Sequence, residues 1–413
     1  MIMKYYIESY GCTMNYGEGD MLSRRMESLG YERTDSVDDS NIVILNTCTV
    51  VETTEKRMIK RMNELRATKK EVIVTGCMAK VQQSRISIRL PNALIVPPDM
   101  YDNFSELVEN RFGIGDSNKR TPYGRTAIIP IAQGCLGNCS YCITRFARGK
   151  LISRSVEDIT SEFNEFIESG VREILITAQD TACYGRDIGT DLPALMEELL
   201  KTEGDYRIRI GMMNPNHLEP ILDRMMDCLM DPRVYKFLHI PVQSGSDTVL
   251  KAMRRHYTSE RFLNIVKRLR ERIPDISIAT DFICGFPGET ESDHKDTIAL
   301  MKALRMDTAN ITRYSARPGT DSITMPGELN GNVTKERSGE LTEVKCEVEY
   351  DVNSKLIGKR VNVLITENGK DGTMIGRTIN YRPIAFRTAR DLGEYADVEI
   401  TDCVATYLSG KEL

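Results

Sequence analysis

Three strand-like segments in the first third of the chain each end on a cysteine. KYYIESYGC closes at Cys12, NIVILNTC at Cys48 and EVIVTGC at Cys77. Between them lie a stretch with Met21, Leu22, Met26 and Leu29 at helical spacing and a basic helical stretch, EKRMIKRMNELRATKK. Strand, helix, strand, helix, strand is the sequence form of a parallel sheet with helices on its faces. In open sheets of this kind, functional groups gather at the carboxyl ends of the strands. Three cysteines separated by 36 and 29 positions are therefore expected to converge in space.

A second alternating series follows the polar, turn-rich stretch GDSNKRTPYGR, which reads as a linker. Its strand segments are AIIPIAQGC, EILITAQD, RIRIGMMNP, KFLHIPVQSGS, SIATDFICGFPGE and ANITRYSARPGT, with helical segments such as VEDITSEFNEFIESG and SERFLNIVKRLRERI between them. Six such units are too few for a full eight-stranded barrel and fit a partial (β/α)6 barrel, with its chemistry at the carboxyl ends of the strands. From about residue 354 the pattern changes to short strands broken by Gly, Asn and Asp, which reads as a small antiparallel β-barrel of a type that often binds oligonucleotides. The expected fold class is α/β, divided into a Rossmann-like domain (1–118), a barrel core (119–353) and an OB-like C-terminal barrel (354–413).

Composition narrows the chemistry. With 41% hydrophobic and 28% charged residues, the chain is neither disordered nor membrane-embedded in character. The N-terminus lacks the pattern of a secretory signal, and no apolar run approaches the roughly 18 residues of a membrane span, so a cytoplasmic location is expected. Eleven cysteines in a reducing compartment favour metal or redox chemistry over disulfides. The net charge of -5 hides basic stretches: residues 143–154 carry four basic and no acidic residues, and residues 251–272 and 355–390 each carry eight against two. Each could be a solvated face or part of a polyanion-binding surface.

The stretch CLGNCSYC places Cys135, Cys139 and Cys142 on one short loop after the first barrel strand. A structural zinc site closes with four ligands, yet the four histidines, His217, His239, His256 and His294, all lie at least 75 residues further on. A four-iron cluster ordinarily takes four cysteines. Three leave one iron open to chelate another molecule, as a catalytic zinc keeps one position free.

The CxxxCxxC spacing in this context resembles the radical S-adenosylmethionine (SAM) superfamily. That resemblance implies that SAM binds the open iron and is cleaved to a 5'-deoxyadenosyl radical, a cofactor chemistry that side chains do not supply. Together with YGCTMN, NTCTV, TGCMAK, GCLGNCSYCITRFARG, AQDTACYG, PVQSGSDTVLKAM, TDFICGFPGET and YSARPGT, the chain closely resembles the methylthiotransferases over essentially its whole length. The resemblance implies two [4Fe-4S] clusters, one on Cys135, Cys139 and Cys142, and an auxiliary one on Cys12, Cys48 and Cys77 that holds the sulfur to be methylated, together with a C-terminal TRAM domain. It implies that Tyr141 flanks the SAM adenine, that Gln179 and Asp180 meet SAM at the end of the second strand, and that Gln243, Ser244 and Gly285 line the pocket; Tyr141 also suits an aromatic packed against the barrel. Gly285 and Gly288 equally suit a turn in CGFPGE, and Cys183, Cys228, Cys284, Cys346 and Cys403 read as structural.

CITRFARG and GCMAKVQQ look most like the branch that acts on N6-threonylcarbamoyladenosine in tRNA. The implied partners are tRNA, an electron donor such as flavodoxin or ferredoxin, and a sulfur donor; a monomer is expected. The alternatives are branches acting on isopentenyladenosine in tRNA or on a ribosomal-protein aspartate, and, from another class, a non-catalytic zinc-containing RNA-binding protein. A cobalamin-dependent methylase would need a cobalamin-binding histidine in its N-terminal domain, and no histidine precedes residue 217.

Overall fold

The computed structural model of the chain describes residues 2–50 and 52–413. Two compact units are present. The first comprises residues up to Pro122 together with Gln133–Gly137 and Cys142–Ile152; the second comprises Tyr123–Ala132, Asn138–Tyr141 and Ser153–Leu413.

In the first unit, β1 (Lys4–Ser9), β2 (Glu32–Arg33), β3 (Ile42–Thr47), β4 (Glu71–Gly76) and β5 (Leu94–Val96) form one sheet in the order β2-β1-β3-β4-β5. Every neighbouring pair is parallel. Helices α1 (Thr13–Ser28), α2 (Glu52–Thr68), α3 (Cys77–Val81), α4 (Gln83–Arg89) and α5 (Phe104–Phe112) connect or follow the strands. Side chains alternate across a strand, and here both faces are apolar. Ile42, Ile44 and Ile73 pack with Leu22 and Met26 of α1 and Phe104 and Val108 of α5. Val43, Leu45, Val72 and Val74 pack on the other face with Met58, Met62 and Leu65 of α2. The sheet is covered on both sides, as parallel sheets require. β2 and β5 add two edge strands to the three read from the sequence.

The linker-like stretch has no regular structure but is tied down. Gly115 N–H donates to Leu29 O at 2.9 Å, Ser117 N–H to Gly30 O at 2.8 Å, and Thr121 N–H to Glu27 Oε1 at 3.2 Å. Gly30 and Gly115 approach so closely that a Cβ on either would meet the other's carbonyl oxygen at 2.3 and 2.1 Å.

In the second unit, all six expected barrel strands form: Thr126–Pro130, Glu173–Thr177, Arg207–Ile210, Phe237–His239, Ser277–Cys284 and Thr308–Arg313. The first three make one parallel sheet with the second strand central; the last three make another with the fifth central. A bridge between Ile208 and Val234 links the third strand to the approach of the fourth. Helices Val156–Glu168 and Ser259–Arg272 occupy their expected segments and start at Ser155 and Thr258, whose side chains accept the N–H of Asp158 and Arg261. A helix that the sequence does not announce, Gly331–Ser354, follows the sixth strand. Among its apolar residues only Leu341 is fully buried, so its periodic signal is faint.

The C-terminal strands Arg360–Asn368, Met374–Thr378, Pro383–Phe386, Tyr395–Cys403 and Leu408–Glu412 close into a barrel around Val363, Ile384, Phe386, Val398 and Ile400. It is antiparallel except where Pro383–Phe386 pairs with Leu408–Glu412, which is parallel. A closed ring of five strands cannot alternate direction all the way round. The barrel sits at the amino ends of the core strands. Arg209 lies between the rings of Phe237 and Tyr381, 5.2 and 5.0 Å from their centroids, a geometry favourable to a cation on an aromatic face. Tyr381 also packs edge-on to Tyr235, whose hydroxyl donates to Glu173 at 2.9 Å. Arg382 binds Asp307 and donates to Asn353 at 2.6 Å, and Lys236 N–H donates to Ile379 O at 2.7 Å. Two of the eight basic residues in 355–390, Arg377 and Arg382, are thus spent on this seat.

Glu349, on the helix Gly331–Ser354, is buried and accepts the Ala309 N–H at 2.7 Å. Burial pushes its carboxyl up to about 7, against the opposing pull of that N–H and of Lys345. Folding therefore favours the neutral form. The stabilisation is complete below the ordinary value of 4.5 and is lost as pH rises through about 7. Glu349→Gln, which keeps the acceptor oxygen, is expected to raise anaerobic stability by about 2–3 kcal/mol at pH 8 and by little at pH 5. Thermal denaturation at the two pH values checks this.

Candidate metal centres

The first cysteine trio follows directly from sheet register. Ser9 pairs with Asn46, and Asn46 with Thr75, so β1, β3 and β4 end side by side. Cys12 then caps α1, Cys48 follows β3 by one residue, and Cys77 opens α3. The turns leading to two of the thiols need glycine. At Gly11, with φ +109°, a Cβ would lie 2.7 Å from Cys48 Cβ; at Gly76, with φ +82°, it would lie 2.2 Å from Thr47 O. These positive φ values and close approaches suit only a residue without a side chain. Cys48 and Cys77 are buried and Cys12 is exposed, leaving one side of the trio accessible.

Electrostatics shows the three thiols acting on one another. Burial pushes the Cys77 thiol up to about 12; Arg148 opposes that rise, while Cys48 and Cys12 add to it. Three mutually repelling thiolates without a metal ion are unfavourable, and a metal group reverses that balance by deprotonating its ligands outright. The donor set, its accessibility and the glycine cradle therefore fit an iron–sulfur cluster bound through three thiolates.

The second trio is held by its own loop. Gly134 has φ +82°, and a Cβ there would meet Lys150 O at 2.0 Å, so the backbones at the two ends of the segment touch. Gly137 N–H donates to Cys135 Sγ at 3.2 Å. Ser140 is pinned in the second unit, its N–H on Met253 O at 3.1 Å and its hydroxyl on Ala252 O at 2.9 Å. Arg255 donates to Cys139 Sγ at 3.4 Å and to Pro241 O at 2.7 Å. Cys139 is buried, while Cys135 and Cys142 are half-buried. Three thiols within eight residues, two of them already receiving an N–H, again suit a cluster with an open corner.

Of the remaining candidates, Tyr141 lies on the cysteine loop and the others follow the carboxyl ends of core strands. Tyr141 is half-buried, edge-on to Phe286 at 6.4 Å. Gln179 follows the second strand and is half-buried. Asp180 is buried and engaged: Oδ1 accepts the N–H of Asn214 at 3.0 Å and of Ala182 at 3.2 Å, and Oδ2 lies 2.6 Å from His217 Nδ1. Cys183, read from sequence as structural, touches both Asp180 and His217 at 3.2 and 2.9 Å. Gln243 takes φ +76°, unusual for a residue with a side chain, and is fixed by Asp281 O and Ile283 N–H. Ser244 Oγ accepts the Ser246 N–H at 3.1 Å. Gly285, at φ +77°, has no room for a Cβ beside Thr334, and Gly288 is also in the left-handed region. Both glycines thus have turn geometry.

Sequence reasoning missed Arg148 and Arg255, arginines that reach cysteine sulfurs. Arg148 lies within the quoted CITRFARG, but its partner Cys77 is 71 positions away. Neither periodicity nor spacing encodes such a contact.

Comparison with known proteins places these features. The chain matches the Radical SAM superfamily over residues 129–301, the Uncharacterized protein family UPF0004 over 4–97 and the TRAM domain over 354–413. It is 40% identical to a protein of Pyrococcus horikoshii named probable threonylcarbamoyladenosine tRNA methylthiotransferase, over 99% of each chain. A Methanocaldococcus jannaschii protein of the same name is 37% identical, over 100% of this chain and 97% of its own. The Danio rerio threonylcarbamoyladenosine tRNA methylthiotransferase is 33% identical, over 100% of this chain and 79% of its own. Among solved structures, the radical SAM methyltransferase TsrM of Kitasatospora setae shares the fold at TM-score 0.59 and 14% identity, over 78% of this chain and 75% of that one.

Gly76→Ala must either move Thr47 or abandon its turn. It is expected to destabilise the chain by roughly 1–3 kcal/mol, read as a lower denaturation midpoint, whereas alanine at Gly113, which has open space around it, costs less.

Proposed function

Because the chain belongs to the family of threonylcarbamoyladenosine tRNA methylthiotransferases, we propose that it installs a methylthio group at carbon 2 of N6-threonylcarbamoyladenosine, beside the anticodon of tRNA. The observation that carries this reading is the presence of two separate cysteine trios, each at strand ends and each with an arginine on one sulfur, in a chain aligned with such enzymes over almost its full length. When bound, the two clusters and SAM supply hydrogen abstraction from the adenine and delivery of a methylated sulfur.

The residues of the chain then divide the work. Cys135, Cys139 and Cys142 hold the SAM-binding cluster, and Cys12, Cys48 and Cys77 hold the auxiliary one. Tyr141 flanks the SAM adenine, while Gln179, Gln243, Ser244 and Gly285 border the SAM pocket. Asp180, whose carboxylate is already shared among His217, Asn214 and Ala182, acts by shaping the loop after the second strand. The C-terminal barrel offers Lys359, Lys370 and Arg387, all exposed, to RNA phosphates, which supply most sequence-independent affinity. A low-potential electron donor such as flavodoxin or ferredoxin and a sulfur donor complete the reaction. No helix among the described residues is long and apolar enough to cross a membrane, and the reading places the protein in the cytoplasm.

Reconstituted anaerobically with SAM, reductant and sulfide, the protein is expected to convert threonylcarbamoyladenosine in tRNA to its 2-methylthio form, read by nucleoside mass analysis. Product on isopentenyladenosine tRNA or on a ribosomal-protein aspartate instead would replace the substrate assignment. Iron content tests the cofactors separately. About eight irons per chain are expected, falling to about four when either trio is changed to alanine; colourless zinc protein would overturn the reading.

A further inference from the structure

Arg148 closes the short helix α6 (Thr144–Arg148), six residues after Cys142, and its side chain is 1% exposed. Its Nε–H points at Cys77 Sγ, 3.3 Å away. The other two nitrogens fork onto Glu18, with Nη2 to Oε2 at 2.8 Å, and Nη2 also donates to Asn15 Oδ1 at 2.6 Å. Both partners are buried residues of α1.

These partners hold the backbone before all three thiols. The Asn15 amide donates to Tyr10 O at 2.8 Å and to Thr47 O at 2.9 Å, one just ahead of Gly11 and Cys12 and the other just ahead of Cys48. Glu18 Oε2 accepts from the Tyr101 hydroxyl at 3.5 Å, and that hydroxyl receives the Gly76 N–H at 3.2 Å and the Thr75 hydroxyl at 2.8 Å, immediately ahead of Cys77. A buried guanidinium therefore stands at the centre of a network that reaches each cysteine of the site.

We propose that Arg148 is the positioning and charge-setting residue of the Cys12, Cys48 and Cys77 site: its Nε–H donates to the Cys77 sulfur, and its charge, partly offset by Glu18, raises the reduction potential of the cluster bound there. The inference rests on the two-cluster reading above. Hydrogen bonds to ligand sulfurs and net local charge are the main protein levers on such potentials, and burial strengthens both because the site is poorly screened. A cation stabilises the reduced, more negative state; a carboxylate opposes it. In the other trio Arg255 also donates to a cysteine sulfur, Cys139 Sγ, there through Nη1.

The test uses full-length protein carrying Cys135→Ala, Cys139→Ala and Cys142→Ala, in which iron can occupy the auxiliary site alone. Iron per chain and an EPR-monitored redox titration are measured for this parent and with Arg148→Met, Arg148→Lys or Glu18→Gln added. Arg148→Met is expected to shift the midpoint to more negative potential and Glu18→Gln to more positive, with Arg148→Lys closer to the parent because the charge is kept. Shifts of opposite sign are the signature of charge, since a merely structural role would loosen the site in the same direction for both. Iron-loaded variants whose midpoints equal the parent's, or move together, overturn the proposal. Should Arg148→Met fail to fold or retain iron, the upward shift of Glu18→Gln still decides, and its absence overturns the proposal. A parent that binds no iron overturns the two-cluster reading itself, an outcome distinct from a loaded parent with an insensitive potential.

Discussion

The in-register parallel pairing of β1, β3 and β4 is the constraint from which the N-terminal site follows. Neighbouring strands lie about 4.8 Å apart, so Ser9, Asn46 and Thr75, paired in one row, fix where three chains leave the sheet. Each then has two or three residues in which to reach its cysteine. A slip of one residue would turn Ile42 and Ile44 away from α1 and send Cys48 to the wrong face. Apolar packing on both sides of β3 prevents that slip, and the geometry of the thiols is thus a by-product of how the core is packed.

Much of this was legible in the sequence because it is periodic or local. The strand ends at Cys12, Cys48 and Cys77, the six core strands and the loop with Cys135, Cys139 and Cys142 all carry their signal within about ten residues. What escaped is long-range or aperiodic. Arg148 and Glu18 meet across 130 positions. The helix Gly331–Ser354 buries little apolar surface and so lacks a stripe, and Cys183 meets an imidazole only because His217 folds back from the start of the next connection. The parallel pair in the C-terminal barrel was hidden for a different reason, since closure of an odd-stranded ring is a global condition.

The basic stretches show how composition misleads when burial is unknown. Residues 355–390 could equally be a solvated face or a surface for polyanions, and of their basic residues Arg377 and Arg382 serve neither, being directed inward to Tyr381 and Asp307. Arg148, from the basic stretch 143–154, is likewise buried. Guanidinium groups suit such places because they stack on rings and fork onto carboxylates while keeping their charge.

The seat of the C-terminal barrel at the amino ends of the core strands has a consequence of scale. The strand Ser277–Cys284 has eight residues, and at about 3.3 Å per residue it separates the two rims by roughly 26 Å. Anything gripped by the barrel and altered at the opposite rim must bridge that distance. A lone nucleoside is far too short to span it, whereas a folded stem several base pairs long is not.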